Sequence, residues 1–272
     1  MKILIAGLLV ALLSACGGGY GGAEPSVSQI KAISLKYGQT ASIYVLGKYL
    51  RTDLIASTGS CTNPTFSAAS TTEAAILNCK ITATGDLPVT IKNASGELLL
   101  STTLTVLQPE VTVVTSAGSM VMELYPDVAP VTVNNFLGYV GSGYYNSTLF
   151  HRVIAGFVIQ AGGYTTGPVK KEGQRDPITL ESNKGLSNTR GMVAMARTTV
   201  PNSATSEFFI NLVDNTFLDY SSPASPGYAV FGKVITGLPV VDTIAAKPTA
   251  VSNGMPDVPL TDVIIVLATQ TK

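Results

Sequence analysis

The chain has 272 residues, 46% of them hydrophobic and 12% charged, with 17 Lys+Arg against 17 Asp+Glu. A formal charge of +0 and no basic run exclude the electrostatic footprint of a nucleic-acid binder. The length allows two domains, and 26 Gly, 15 Pro and many Thr and Ser favour strands and turns over long helices.

The first segment is not fold. Met1-Lys2 is a minimal basic region, and Ile3 to Leu13 is an apolar run. A helix needs about 20 residues to span a bilayer, so this run is too short. Leu13-Ser14-Ala15-Cys16 resembles the bacterial lipoprotein lipobox, in which cleavage before Cys16 leaves a cysteine for lipid attachment. Residues 1–15 are then a signal peptide and 16–24 a glycine-rich tether. The resemblance implies a membrane partner through Cys16 and a place in the bacterial cell envelope. Gly17 after the lipid cysteine points to the outer membrane facing the periplasm. An ordinary secretory leader with an incidental cysteine is the alternative. Export means an oxidising compartment, where Cys61 and Cys79 are the two remaining thiols and a disulfide is their economical pairing. Closing a loop of that size contributes about 3 kcal/mol. Two free thiols are the other reading. Without nearby histidines these cysteines cannot complete a zinc shell, so no metal and no cofactor is expected.

Residues 25–108 read as short strands between turns: Ala41–Leu46, Ala74–Ile81, Val89–Lys92 and Leu98–Val106, with breaks at Thr58-Gly59, Thr84-Gly85-Asp86 and Asn93-Ala94-Ser95-Gly96. That spacing suggests a small antiparallel sandwich. It loosely resembles immunoglobulin-like modules of bacterial surface proteins and carries no cluster of acids, bases or nucleophiles, so it reads as a spacer or protein-binding module.

Pro109 marks a boundary, and 109–272 form a second domain. Val111–Thr115, a turn at Ala117-Gly118-Ser119 and Met120–Leu124 make a hairpin. Asp127 can cap a helix that tolerates Pro130 in its first turn and runs to about Gly141, with Val133, Phe136, Leu137 and Val140 at helical spacing. The stretch from Phe150 to Gln160 is strand-like but broken at Ala155-Gly156, and it holds Arg152 and Gln160 among apolar neighbours. Alternation puts Val158 and Gln160 on one face, and His151 on the face opposite Arg152. Two polar groups among apolar side chains suit a pocket for a neutral, partly apolar ligand.

Four motifs then stand in order: Phe150-His151-Arg152-Val153-Ile154 with Gly156-Phe157-Val158-Ile159-Gln160; Gly191-Met192-Val193-Ala194-Met195-Ala196; Pro201 to Ile210 with Ser206-Glu207-Phe208-Phe209; and Val230-Phe231-Gly232-Lys233-Val234. Together with the hairpin and the helix holding Val133-Asn134-Asn135-Phe136, they resemble the cyclophilins, which are peptidyl-prolyl cis/trans isomerases. The resemblance covers nearly all of residues 111–272. It implies a mainly β fold: a closed eight-stranded antiparallel barrel capped by two helices, the second near Leu238–Ala245, with a last strand at Leu260–Ala268.

The resemblance also implies the site. Arg152 matches the arginine that hydrogen-bonds substrate at the isomerising bond. Phe157, Phe209 and Leu218 match walls of the proline pocket, Gln160 a backbone-contacting glutamine, and Ala196 a backbone contact beside the pocket. Val158 stands for a methionine, Phe217 for a common tryptophan, Tyr228 for a histidine and Glu207 for the usual glutamine. Glu207 departs most, because a carboxylate only accepts hydrogen bonds, and it implies altered preference for residues around the proline. Ala161 replaces a common glycine. His151 reads as a structural or bystander residue, Phe208 as core, and the pairs Asp214 with Asp219 and Glu172 with Asp176 as solvated loop carboxylates. The expected activity is isomerisation of X-Pro bonds in exported polypeptides by a monomer. The alternative is a proline-segment binding module or chaperone with little turnover.

Overall fold

The structure is a computed structural model, and it describes residues 23–50 and 53–272. The leader, Cys16 and Gly17 to Gly22 lie outside the described residues.

Seven strands come first: β1 (Ser26–Ala32), β2 (Thr40–Lys48), β3 (Ile55–Thr58), β4 (Cys61–Phe66), β5 (Ala74–Ile81), β6 (Gly85–Lys92) and β7 (Leu98–Val106). They form two sheets, ordered β1-β2-β5-β4 and β3-β6-β7. This is the ABED/CFG order of a seven-stranded immunoglobulin-type sandwich. Its core follows from strand alternation: Ile43 and Val45 of β2, Leu77 of β5 and Leu87, Val89 and Ile91 of β6 are fully buried. Cys61 and Cys79 are disulfide-bonded, with Cα atoms 5.3 Å apart. They join adjacent strands of one sheet, unlike the inter-sheet bridge of antibody domains. Three short strands, β1, β3 and β4, were not expected from the sequence, and β6 begins at Gly85, inside the expected break at Thr84-Gly85-Asp86.

The second part comprises β8 (Glu110–Thr115), β9 (Gly118–Leu124), α1 (Pro130–Gly141), β10 (Thr148–Ile154), β11 (Val158–Ala161), β12 (Tyr164–Thr165), β13 (Val169–Lys170), β14 (Met192–Met195), β15 (Phe208–Asn211), β16 (Val230–Thr236), α2 (Leu238–Ala245), β17 (Thr249–Ser252), β18 (Met255–Pro259) and β19 (Ile264–Gln270). Eight of these strands close an antiparallel barrel in the order β10-β11-β15-β14-β16-β9-β8-β19. Closure leaves no unpaired strand edge in the barrel wall. The interior is aromatic, with Phe136 of α1 set against Tyr145, Phe208 and Phe231 at 5.1, 5.5 and 5.1 Å between ring centroids. Phe208 is core, as alternation predicts.

Two expectations for this part need correction. Asp127 does not cap α1: the N-cap is Ala129, with no side-chain bond there. The buried carboxylate of Glu181 accepts from the Val131 and Thr132 N–H groups at 3.2 and 2.8 Å instead. The last strand starts at Ile264, not Leu260, because Leu260 is solvent-exposed and its N–H bonds Pro248 outside the barrel.

The two parts are joined by more than a linker. Tyr37, between β1 and β2, is 3% exposed and packs into the barrel core. Gln270 at the end of β19 donates to the Tyr37 carbonyl (3.1 Å) and accepts from Gln39 (2.7 Å), and its own carbonyl accepts from Lys36 (2.9 Å). Asp127, free of the helix, accepts from Thr84 at 2.6 Å and Gln108 at 3.2 Å.

Candidate active site

The site begins with the β10–β11 hairpin. Gly156 sits in its turn at φ +71, a left-handed conformation that glycine adopts without strain, and the Phe157 N–H closes the turn on the Ile154 carbonyl at 3.0 Å. The register then fixes which side chains meet. Arg152 pairs with Gln160, Gln160 with Phe209, Phe209 with Ala194, and Ala194 with Val230. Directly paired residues share a face, so this row lies together on the outer wall of the barrel. The neighbouring row of Val153, Ile159, Ile210 and Val193 points inward and is core.

Around that row, Val158, Met192, Ala194, Phe209 and Val230 form a small apolar cluster, with Phe157, Ala196, Leu218 and Tyr228 packed against it. The cluster floors a cavity of about 220 Å³ lined by Arg152, Phe157, Val158, Gln160, Ala196, Arg197, Phe209, Leu218 and Tyr228. The Arg152 guanidinium stands 5.9 Å from the centre of the Phe157 ring, and its Nη1 donates to Gln160 Oε1 at 3.4 Å. Tyr228 meets Phe209 edge-on at 5.5 Å. Phe217 does not line this cavity; it is 72% exposed and stacks on the outer side of Phe157 at 5.9 Å. It instead borders a second hollow with Leu218, Pro226 and Tyr228.

Glu207 also stands apart from the Arg152 cavity. It lines a neighbouring cavity of about 360 Å³ with Tyr164, Lys170 and Thr205, and the two cavities share Gln160, Ala196 and Arg197. Glu207 Oε2 accepts from Gln160 Nε2 at 2.8 Å and from His151 Nε2 at 3.1 Å. Burial pushes this carboxyl up, but the hydrogen bond and charge of His151, with smaller help from Gln160 and Lys170, outweigh it and hold the group below the usual carboxylate range. Desolvation raises the Tyr164 hydroxyl, and the nearby Glu207 charge adds to it.

Of the two expected roles for His151, structural or bystander, its contacts fit the structural one. His151 is 3% exposed, its ring lies 4.6 Å from that of Tyr164, and it holds Glu207. The register between β10 and β11 shifts between Phe150 and Arg152, a bulge at His151 that breaks simple alternation. Sequence reasoning also missed Arg197. Its Nε bonds the Gly227 carbonyl at 2.8 Å and its guanidinium covers the Tyr228 ring at 4.6 Å. Its place directly after Ala196 was the available signal.

The loop carrying Phe217 and Leu218 is set by a polar cluster. Asn215 Nδ2 donates to the Phe157 carbonyl and to Asn211 Oδ1, both at 2.9 Å. Asp219 Oδ1 accepts from the Asn188 backbone and side chain at 2.7 and 2.8 Å, and Asp214 accepts from the Arg190 N–H at 2.9 Å. These two aspartates serve as structural acceptors for neighbouring chain, a role the loop reading had not assigned. No group of three or more His, Cys, Asp or Glu placed to hold a metal occurs among the described residues. A larger cavity, about 890 Å³, lies at the seam of the two parts beside Tyr37, Asn134 and Gln270 and shares no residue with the site. What the site offers chemically is a cation beside an apolar cup, with no activated nucleophile among its lining residues.

Comparison with known proteins gives the family. The sequence profile of the family "Cyclophilin type peptidyl-prolyl cis-trans isomerase/CLD" matches residues 110–270, starting where β8 starts. Peptidyl-prolyl cis-trans isomerase B of Escherichia coli is 50% identical over 157 residues, covering 57% of this chain and 95% of that protein. A peptidyl-prolyl cis-trans isomerase of Streptomyces antibioticus is 50% identical over 153 residues, covering 56% and 92%. Among solved structures, a cyclophilin-type isomerase of Cryptosporidium parvum, crystallised in the presence of the dipeptide Ala-Pro, matches with a TM-score of 0.52 and 29% identity, over 60% of this chain and 99% of that one. With its profile match running over the whole barrel and its Arg152 cavity on the barrel wall, the chain belongs to the cyclophilin-type peptidyl-prolyl cis-trans isomerases.

Proposed function

We propose that the chain assists the folding of exported proteins by isomerising their X-Pro bonds in the Arg152 cavity. The reaction makes and breaks no covalent bond. Its barrier, about 18–20 kcal/mol, is amide resonance. A catalyst must bind the twisted amide more tightly than either planar form. Twisting returns a lone pair to the prolyl nitrogen, and a guanidinium beside the ring can donate to it. A hydrogen bond from a charged donor contributes about 1.5–3 kcal/mol, or roughly ten- to a hundredfold in rate. The rest must come from anchoring. Phe157, Val158, Phe209, Leu218 and Tyr228 hold the pyrrolidine ring, while Gln160 and Ala196 take the substrate backbone. Arg152 spends one N–H on Gln160 and keeps the others for the amide.

The observation that carries this reading is the paired row Arg152–Gln160–Phe209, which places a cation, an amide and an aromatic floor on one face of the wall. A protease-free isomerisation assay on an X-Pro peptide tests it. Arg152→Ala should lose about ten- to a hundredfold in turnover with its circular dichroism unchanged. No turnover in the unmutated protein sinks the enzyme reading and leaves a proline-segment binder. That second reading draws on Glu207, a charged group beside the cavity that replaces an amide and so changes what flanking residues can donate or accept.

The lipobox-like Leu13-Ser14-Ala15-Cys16 supports an anchor on Cys16 in the cell envelope, with the site working in the periplasm. Cys16→Ala should release the protein from membranes, and unchanged retention defeats the anchor.

A further inference from the structure

Four side chains run in line from the buried His151 to the isomerisation cavity. His151 Nε2 meets Glu207 Oε2 at 3.1 Å, Gln160 Nε2 meets the same oxygen at 2.8 Å, and Arg152 Nη1 meets Gln160 Oε1 at 3.4 Å. The line has a direction. A carboxylate only accepts and a guanidinium only donates, so both ends of the Gln160 amide are specified. Flipping that amide would set its NH₂ against Arg152 and its oxygen against Glu207, losing both bonds at once. With glutamine at position 207 the neighbouring amide could turn to suit either orientation, and only the guanidinium would still specify the Gln160 amide.

His151 completes the device. It is 3% exposed, and its Nδ1 has no hydrogen-bond partner among the described residues. Its single polar bond is the one to Glu207, so nothing but that carboxylate explains the placement of its polar edge. The bulge between Phe150 and Arg152 is what turns the imidazole toward Glu207, and bulges re-aim side chains in this way. The other charged or titratable groups facing Glu207 are Lys170 and Arg197 across the cavity, Tyr164 beside the ring, and Tyr144, whose hydroxyl the Glu207 charge helps to raise. Arg197 is committed to Gly227 and Tyr228. Lys170 is exposed at the rim, and without His151 the carboxylate is free to turn toward it.

We propose that Glu207 and His151 are positioning residues for the isomerisation: the imidazole holds the carboxylate, the carboxylate holds the Gln160 amide in one orientation, and the amide oxygen holds the Arg152 guanidinium over the cavity. This rests on the reading of Arg152 as the donor to the twisting amide. A positioning role acts on the bound, twisting substrate, so it moves kcat and leaves KM nearly alone.

The experiment is a double-mutant cycle read in kcat and KM on one X-Pro peptide. His151→Phe keeps the ring against Tyr164 and removes the donor. It should lower kcat about five- to tenfold with KM within about twofold. Glu207→Gln should lower kcat by a smaller factor. The two together should cost no more than the worse single change, because they act as one unit. His151→Gln, whose terminal amide reaches about as far as Nε2, should recover most of the loss. Independent additive losses, a change confined to KM, or no recovery in His151→Gln overturns the proposal. A second measurement does not depend on turnover or on any variant folding. Nitrogen-15 NMR of the unmutated protein should show His151 Nε2 carrying a hydrogen, and a bare Nε2 overturns the chain of bonds. Absence of turnover in the unmutated protein, with that hydrogen in place, would instead defeat the reading of Arg152.

Discussion

The sandwich and the barrel are both all-strand walls around an apolar core, yet they spend their interiors differently. The sandwich is two open sheets whose core is almost wholly aliphatic. Its buried polar side chain, Asn93, serves a local turn, accepting from the Glu97 N–H at 2.8 Å. The barrel is closed, and it buries His151, Glu181, Ser206, Asn188, Asn211 and Asn215. Buried polar groups are costly unless satisfied, so their concentration marks where a structure gives up packing for placement. In the barrel they hold a helix start, the Phe217–Leu218 loop and the Arg152 line. In the sandwich nothing comparable needs to be aimed. The sandwich is built to be stable and the barrel to be specific.

The comparison is weakest at Tyr37, where the sandwich supplies a core residue to the barrel. Its loop is held by Ile81, whose carbonyl accepts from the Gly38 N–H at 2.9 Å and whose N–H donates to the Gln39 carbonyl at 3.0 Å. Tyr37→Ala opens a cavity in a shared core. Truncating a buried aromatic costs about 3–5 kcal/mol. Calorimetry should show the barrel's transition falling, although the substitution lies outside residues 110–270. A barrel transition that stays put means the two regions are energetically separate after all.

The disulfide lies on the sandwich side of the same seam. Changing both Cys61 and Cys79 to serine should cost the sandwich about 3 kcal/mol by releasing the unfolded chain. Isomerase turnover, measured where the barrel remains folded, should stay within about twofold of the parent. The route by which the loss could spread is short, since Cys79 stands two residues before Ile81 and the Tyr37 loop. A turnover loss matching that of Tyr37→Ala would show that this route transmits.

How much of this was legible in the sequence depends on range. The hairpin β8–β9, helix α1 and the row Arg152, Gln160, Phe209 follow from local periodicity and ordered motifs. β1, β3 and β4 did not. Ile55–Thr58 is four residues long, and Cys61–Phe66 contains Pro64 and a left-handed Asn63 at φ +53, so neither shows a clean alternating pattern. The cap of α1 was assigned to nearby Asp127, whereas the true acceptor, Glu181, comes from 50 residues downstream. The contact of His151 with Glu207 was not legible because alternation assumes an unbroken register, and the register shifts there. Local rules gave most of the strands and the family resemblance pointed to the cavity residues; contacts between distant segments set the polar groups that aim them.

The smallest expected effect concerns acid. Glu207 is held below the usual carboxylate range in the folded barrel, while an exposed glutamate titrates near about 4.3 in the unfolded chain. The sign follows from which state binds the proton more tightly. The unfolded chain does, so the stability that Glu207 contributes is complete above its unfolded value and is lost as pH falls through the lower folded one. Glu207→Gln removes the titrating group and with it this loss. The stability difference between the parent and the variant should then drift toward the variant as pH falls from about 5 to below about 4. The charges facing the group support this sign: His151 and Lys170 favour the anion, and Tyr164, whose hydroxyl is raised, stays neutral across that range. Thermal unfolding of both proteins across pH 3.5–7, followed at the barrel's transition, reads it out. A difference at about pH 3.5 equal to that at about pH 5 would mean that the carboxylate is not held in the folded barrel, and the buried polar line behind Arg152 would lose its anchor.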